Sequence, residues 1–301
     1  MASGSKKTVL VAVGANATIA TVKAVAGTIS GSSALLAEAA HSVADTTNQL
    51  LLLLSIGLGD REPDEDHPFG YGKERFFWTL LAAVLIFLAG AVFSIGEGIL
   101  RLLRPTGEET FALAMGTIAF AFLAEGTSFV WAIRQVRCEA READVPLLKY
   151  IRQSKDPTVK AVLSEDATDL VGLTFAAVGI GLQALTGEQA WDAGAAILVG
   201  VLLVFVAFQL GRDTKGLLLG EAAPRAERER LRQTIERHPE VSGVRELLTM
   251  YVGPESLLVA ARVDFEDDLR AAEVERVASA VERELRKAVP AVEHVFLDPS
   301  G

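Results

Sequence analysis

Two pairs of ligand-type residues stand inside segments that are otherwise apolar. His41 and Asp45 interrupt one hydrophobic run, and Glu165 and Asp169 interrupt another. Each pair is spaced i, i+4, so on a helix both side chains project from one face. Ionisable groups are costly inside a membrane and are kept there when they have work to do. One imidazole and three carboxylates, with no thiolate, can close a tetrahedral site for a divalent metal. The pattern therefore implies a metal-ion transport site. Asp166 is rotated by about 100° from Glu165 and should face elsewhere, paired with a Lys or Arg.

Other polar residues surround these pairs. Glu38, Asn48 and Gln49 extend the first pair into a stripe on a helix made largely of Ala and Leu. Such a stripe cannot face lipid, and interhelical hydrogen bonding accounts for these three without any metal. Lys23 and Asn16 either line the same interior or snorkel to an interface. Glu97, Glu125 and Asp192 read as helix-end or packing groups. Asp64 and His67 lie in a polar, turn-rich connection at 63–75, where they form either a loose second metal pair or part of a solvated acidic loop.

The elements that must position these residues are legible in composition. Half of the 301 residues are hydrophobic, and they dominate the first two-thirds of the chain. A membrane helix needs about 20 mostly apolar residues. Six such segments are expected, near 8–29, 34–58, 76–100, 111–133, 159–185 and 191–211. The fifth is the most polar and would rank last by hydropathy. The apolar stretch after Lys7 runs on too long for a cleaved signal peptide. Lys and Arg are missing from the first-to-second and fifth-to-sixth connections and abundant in those on the other side, so both termini are expected to be cytoplasmic. Small residues crowd 172–181 and 193–200, which suits helices that must rock against one another.

After the last span the chain turns polar. From Gly220 onward there are 12 basic and 17 acidic residues, part of a net charge of -10. No basic stripe is present, which argues against nucleic-acid binding. The single Cys138 excludes an internal disulfide and a cysteine-based zinc cluster. Helical spacing marks 225–238 and 271–288, and strand formers mark 242–251, 257–265 and 292–297. The order αββαβ predicts helices on one face of a small sheet. So small a unit suits pairing with a second copy.

Several stretches together resemble the cation diffusion facilitator family over nearly the whole chain. They are Ser30 to Asp45, His67-Pro-Phe-Gly-Tyr-Gly-Lys73, Glu97 to Pro105 and the αββαβ tail. Asp156-Pro-Thr before Glu165-Asp166, and Ser42 to Gln49, are most similar to the zinc transporter nine subgroup. The resemblance implies a six-helix membrane domain at 8–215, a cytoplasmic ferredoxin-like dimerisation domain at 220–301, and a homodimer. It implies export of a divalent cation, commonly zinc, in exchange for protons, through His41, Asp45, Glu165 and Asp169. Metal and protons are then cargo, and no resident cofactor is expected.

Three departures qualify that expectation. Zinc exporters of the family usually have His where Glu165 stands, and a harder ligand set weakens discrimination against manganese, iron or cobalt. The family's loop site matches at Asp64 and His67 but has Tyr71 at its third position. Members with metal at the tail's dimer interface use histidines where this chain has Arg245, Arg262 and Phe296, so no zinc cluster is expected there. A membrane metal hydrolase would want a His-Glu-x-x-His helix, which is missing. A non-transporting regulator would not need both ligand pairs. The expected location is the plasma membrane of a prokaryote.

Overall fold

The computed structural model describes residues 2–104, 110–142, 146 and 157–299, with side chains throughout except at 2–12, 15, 135, 139, 142 and 157–165. Long helices occupy every segment expected to be apolar: α1 (Ala2–Ser30), α2 (Ser33–Gly59), α3 (Glu74–Leu85), α4 (Phe93–Leu103), α5 (Phe111–Glu142), α6 (Pro157–Thr186) and α7 (Ala190–Leu219). A π-helical stretch, Ile86–Val92, joins α3 to α4 without a break, so the two form one rod from Glu74 to Leu103.

Among the described residues, four helical segments are long and apolar enough to cross a membrane: Glu74–Leu103, Phe111–Cys138, Asp166–Thr186 and Ala190–Leu219. The chain is thus a multi-pass membrane protein. The expected count of six is not reached by this criterion. The described part of the fifth segment qualifies, level with Phe111–Cys138 as the less apolar of the four, because its apolar run after Asp169 outweighs the acids. The second does not, because Glu38, His41, Asp45, Asn48 and Gln49 dilute it.

By internal contact the chain forms two compact units. The first comprises 1–50 and 82–209, the second 51–81 and 210–301. The core of the first is built from small residues: Ala26, Ala34, Ala114, Ala121, Ala176 and Ala195 pack with Leu35, Ile118, Leu173 and Ile180. The expected close approach is visible at Gly179, where a methyl group would meet the Ala195 side chain and the Trp191 backbone. Alanine and glycine let backbones come near, which in lipid substitutes for a hydrophobic driving force between helices.

The second unit contains the tail: α8 (Arg225–Glu236), β1 (Val241–Gly253), β2 (Ser256–Phe265), α9 (Ala271–Ala288) and β3 (Val292–Pro299). β1 pairs antiparallel with β2, and β2 pairs parallel with β3. The parallel pairing requires a crossover, and α9 supplies it. Leu231 and Ile235 of α8, with Val277, Val281 and Leu285 of α9, bury against Val244, Leu257, Val259 and Val263. This is the expected two-layer αββαβ arrangement, with boundaries displaced by two residues or fewer from those read in the sequence.

Candidate metal centre

The expected ligands start on separate helices, and the fold brings three of them together. His41 and Asp45 sit one turn apart on α2; Asp169 comes from α6. Nε2 of His41 lies 3.1 Å from Oδ1 of Asp169 and 3.4 Å from Oδ2 of Asp45. The three donor atoms lie within 4.8 Å of one another. Ligands on a tetrahedral zinc ion, bound at about 2.0–2.1 Å, stand about 3.3 Å apart. The set is therefore close to metal-binding spacing already. His41 is 3% exposed, and its carboxylate partners are mostly buried. Glu165, the fourth expected ligand, has its side chain outside the described residues. Its backbone is helical, one turn before Asp169.

A second polar cluster adjoins this one. Lys23 of α1 is 1% exposed, so the snorkelling alternative does not hold and the interior alternative does. Its Nζ lies 2.8 Å from Oε1 of Glu125 on α5, 2.9 Å from Oγ of Ser42 and 3.2 Å from Oε2 of Glu38, both on α2. A buried ammonium is costly alone and tolerable once paired and hydrogen-bonded. Glu38 thus makes the expected interhelical hydrogen bond, in the form of an ion pair, and Glu125 is an ion-pair partner where the sequence suggested a helix-end or packing group. The signal in the sequence was a lone lysine within an apolar helix; its partners were out of reach, Glu125 being 102 positions away.

α6 reaches both clusters because Gly172 has no side chain. A methyl group there would strike Oε1 of Glu38 and lie 3.6 Å from Nδ1 of His41. Asp166 does turn away from the metal group, as its rotation requires. Among the described residues its hydrogen-bond partner is the Ser128 hydroxyl at 3.4 Å, and the expected Lys or Arg is not found there.

The orientation of α2 is set at its first turn by a residue from α7. Asp192 is fully buried. Its carboxylate accepts the Ser32 hydroxyl and the Ser33 N–H, each at 2.5 Å, and the Ala34 N–H at 3.2 Å. Ser32 also accepts the Leu35 N–H at 3.1 Å. Orphan amides at a helix start are satisfied by an N-cap serine and a negative charge. Here the charge arrives from 160 positions away, which no local motif reveals.

The loop pair is arranged differently. Asp64 and His67 are exposed and 3.4 Å apart. Both Asp64 oxygens are engaged, one by the His67 N–H at 2.7 Å and the other by the Tyr71 hydroxyl at 2.5 Å. The Tyr71 hydroxyl, more than the His67 contacts, holds the Asp64 carboxyl below its ordinary value of 3.8. The same bond raises Tyr71 above 10.0. Among the described residues, no third His, Cys, Asp or Glu joins this pair at ligand distance.

The sequence matches the cation efflux transmembrane domain over residues 9–219 and the cytoplasmic domain of cation efflux proteins over 223–298. It is 34% identical over 264 residues to the proton-coupled zinc antiporter SLC30A9, mitochondrial, of Xenopus laevis, covering 87% of this chain and 47% of that protein. It is 24% identical over 304 residues to the manganese efflux system protein MneP of Bacillus subtilis, covering 97% and 95%. The C-terminal domain of MamM, in a nickel form, aligns with 26% of this chain and 98% of its own at 19% identity and a TM-score of 0.25. The chain spans about half the length of the SLC30A9 relatives it matches. Paired ligand-type residues on helices, two family domains in tandem and the identity to the SLC30A9 relatives lead to one conclusion: this chain belongs to the cation efflux family, the cation diffusion facilitators, and within it to the zinc-transporter-nine-like group.

Proposed function

We propose that the chain exports a divalent cation from the cytoplasm in exchange for protons, with zinc as the first substrate. The observation that carries this reading is the buried cluster of His41, Asp45 and Asp169, with donors at metal-ligand spacing on two helices. Glu165 supplies the fourth ligand in this proposal, from the position one turn before Asp169. Ligands must lose protons to coordinate, so metal and protons compete for the same atoms. That competition is what an antiporter requires. The proton-coupled zinc antiport named for the SLC30A9 relative is the same chemistry.

The wider frame belongs to the proposal. Six spans within 8–215 place both termini in the cytoplasm, and the domain at 220–301 pairs two copies. The reading is transport and not catalysis. A prokaryotic plasma membrane is the location expected from the sequence. The mitochondrial designation of the SLC30A9 relatives does not support it, while the Bacillus relative is bacterial.

A second reading keeps the site and changes the cargo. Three carboxylates with one imidazole suit manganese, iron or cobalt better than a nitrogen-rich set does, and one relative is named for manganese efflux. The deciding experiment is metal uptake into proteoliposomes under an imposed proton gradient, comparing zinc, manganese, iron and cobalt. Zinc should enter with wild type and fall at least tenfold with Asp45→Ala. Preference for manganese or iron would reassign the cargo, and gradient-independent flux of every metal would sink the antiport reading.

A further inference from the structure

Lys23 is a buried charge that the transport reading leaves without work. Its ammonium sits among three oxygens, from Glu38, Ser42 and Glu125, at 2.8–3.2 Å. These come from two helices other than its own. An all-oxygen cage around a buried cation is also what a hard metal ion demands.

The cage is not balanced by its occupant. Two carboxylates surround one ammonium. Each carboxylate keeps a second oxygen, Glu38 Oε1 and Glu125 Oε2, that is buried with no hydrogen-bond partner among the described residues. Glu38 is fully buried, and Oε1 points to the space left by Gly172, which Nδ1 of His41 also borders. That Nδ1 likewise lacks a partner among the described residues. Lysine has three protons and spends them on three acceptors, so the two remaining carboxylate oxygens have capacity for a cation of higher charge and wider coordination.

We infer that Glu38, Glu125 and Ser42 form a second cation position in the membrane domain, filled by the chain's own Lys23 ammonium. Lys23 is thereby the residue that restricts the interior to one divalent ion at a time. The inference rests on the proposed transport site as the first position. A tethered ammonium cannot leave, and its effective concentration exceeds that of any ion arriving from solution. The cage offers no imidazole or thiolate, so the ion it would take is a hard divalent cation. Lys23 is a stoichiometry-determining residue that acts by occupying a site.

The test counts bound Mn2+ per full-length chain, by equilibrium dialysis with EPR detection in detergent micelles. If wild type binds n ions, D169N should bind n - 1 and K23Q should bind n + 1. K23R should stay at n, and K23Q/E38Q/E125Q should return to n. A purely structural Lys23 would lower the thermal stability of K23Q without adding an ion. An unchanged count in K23Q overturns the inference, as does an added ion that persists in the triple variant. If K23Q is recovered only with divalent cation present, Mn2+ must restore its yield where K+ does not; failure of Mn2+ to do so also overturns it. D169N remaining at n would instead remove the transport-site reading, whatever K23Q does.

Discussion

At the scale of single residues, the site is a compromise between charge and space. His41 touches two carboxylates through one nitrogen, and Glu38 stands one turn before it on α2. Gly172 lets both approach α6. Gly172→Ala would push a methyl group into the Glu38 carboxylate and crowd His41. Glu38 cannot swing away freely, since Lys23 holds its other oxygen. Overpacking of this kind costs about 1–3 kcal/mol, so the melting temperature should fall. Zinc binding should weaken with it, because a ligand shell displaced by a few tenths of an ångström loses its geometry. Isothermal titration on the purified variant checks this, and unchanged affinity would show that Gly172 matters only for packing.

At the scale of elements, α2 is the helix that everything else must hold. Its first turn is pinned by Asp192 of α7, and its middle is pinned by Lys23 of α1. The rod from Glu74 to Leu103 contributes through its π-helical stretch, where Gly90 packs near Ala44 and Leu203; such bulges are frequent at functional sites. Asp192→Ala leaves two buried N–H groups and a serine hydroxyl without their acceptor. Each such loss costs about 1–3 kcal/mol. We expect a melting temperature several degrees lower and reduced zinc flux, measured by thermal denaturation and proteoliposome uptake. Flux at the wild-type rate would show that the first turn of α2 is not under control of α7.

The loop between α2 and α3 carries a pH prediction with a definite sign. Asp64 is held below 3.8 and Tyr71 above 10.0, each chiefly by the bond between them. A depressed carboxyl stabilises the folded loop above its unfolded value, and the effect is lost as pH falls through the folded one. A raised phenol stabilises below its unfolded value, and the effect is lost as pH rises through the folded one. The stability difference between wild type and Tyr71→Phe should be flat across neutral pH and shrink at both extremes. A difference that grew toward low pH would contradict the assignment.

At the scale of the whole molecule, the two units have separate cores of different character. One is made of alanine and glycine contacts between helices, the other of branched aliphatics between a sheet and two helices. Units with separate cores need not melt together. Calorimetry of the full chain should show two transitions, with Asp192→Ala moving one and Tyr71→Phe the other. A single transition shifted by both variants would show the units to be energetically one.

The sequence by itself determined the helices, the order of the tail and the positions of the two i, i+4 pairs of ligand-type residues. These are local properties: apolar length, alternation, and an i, i+4 spacing that places His41 and Asp45 on one face whatever surrounds them. The tail's elements were legible almost to the residue, because Gly253-Pro254 and the apolar face of α9 depend on neighbours in the chain. Only the tertiary structure decided what the remaining polar residues do. Lys23 could snorkel or turn inward, and the choice depended on whether carboxylates waited on α2 and α5. Asp192 read as a helix-end group, and it is one in the first turn of α7, but its carboxylate also caps the start of α2. Ion pairs and caps formed across more than a hundred residues leave no periodicity behind. Their energy comes from partners that only packing brings into range.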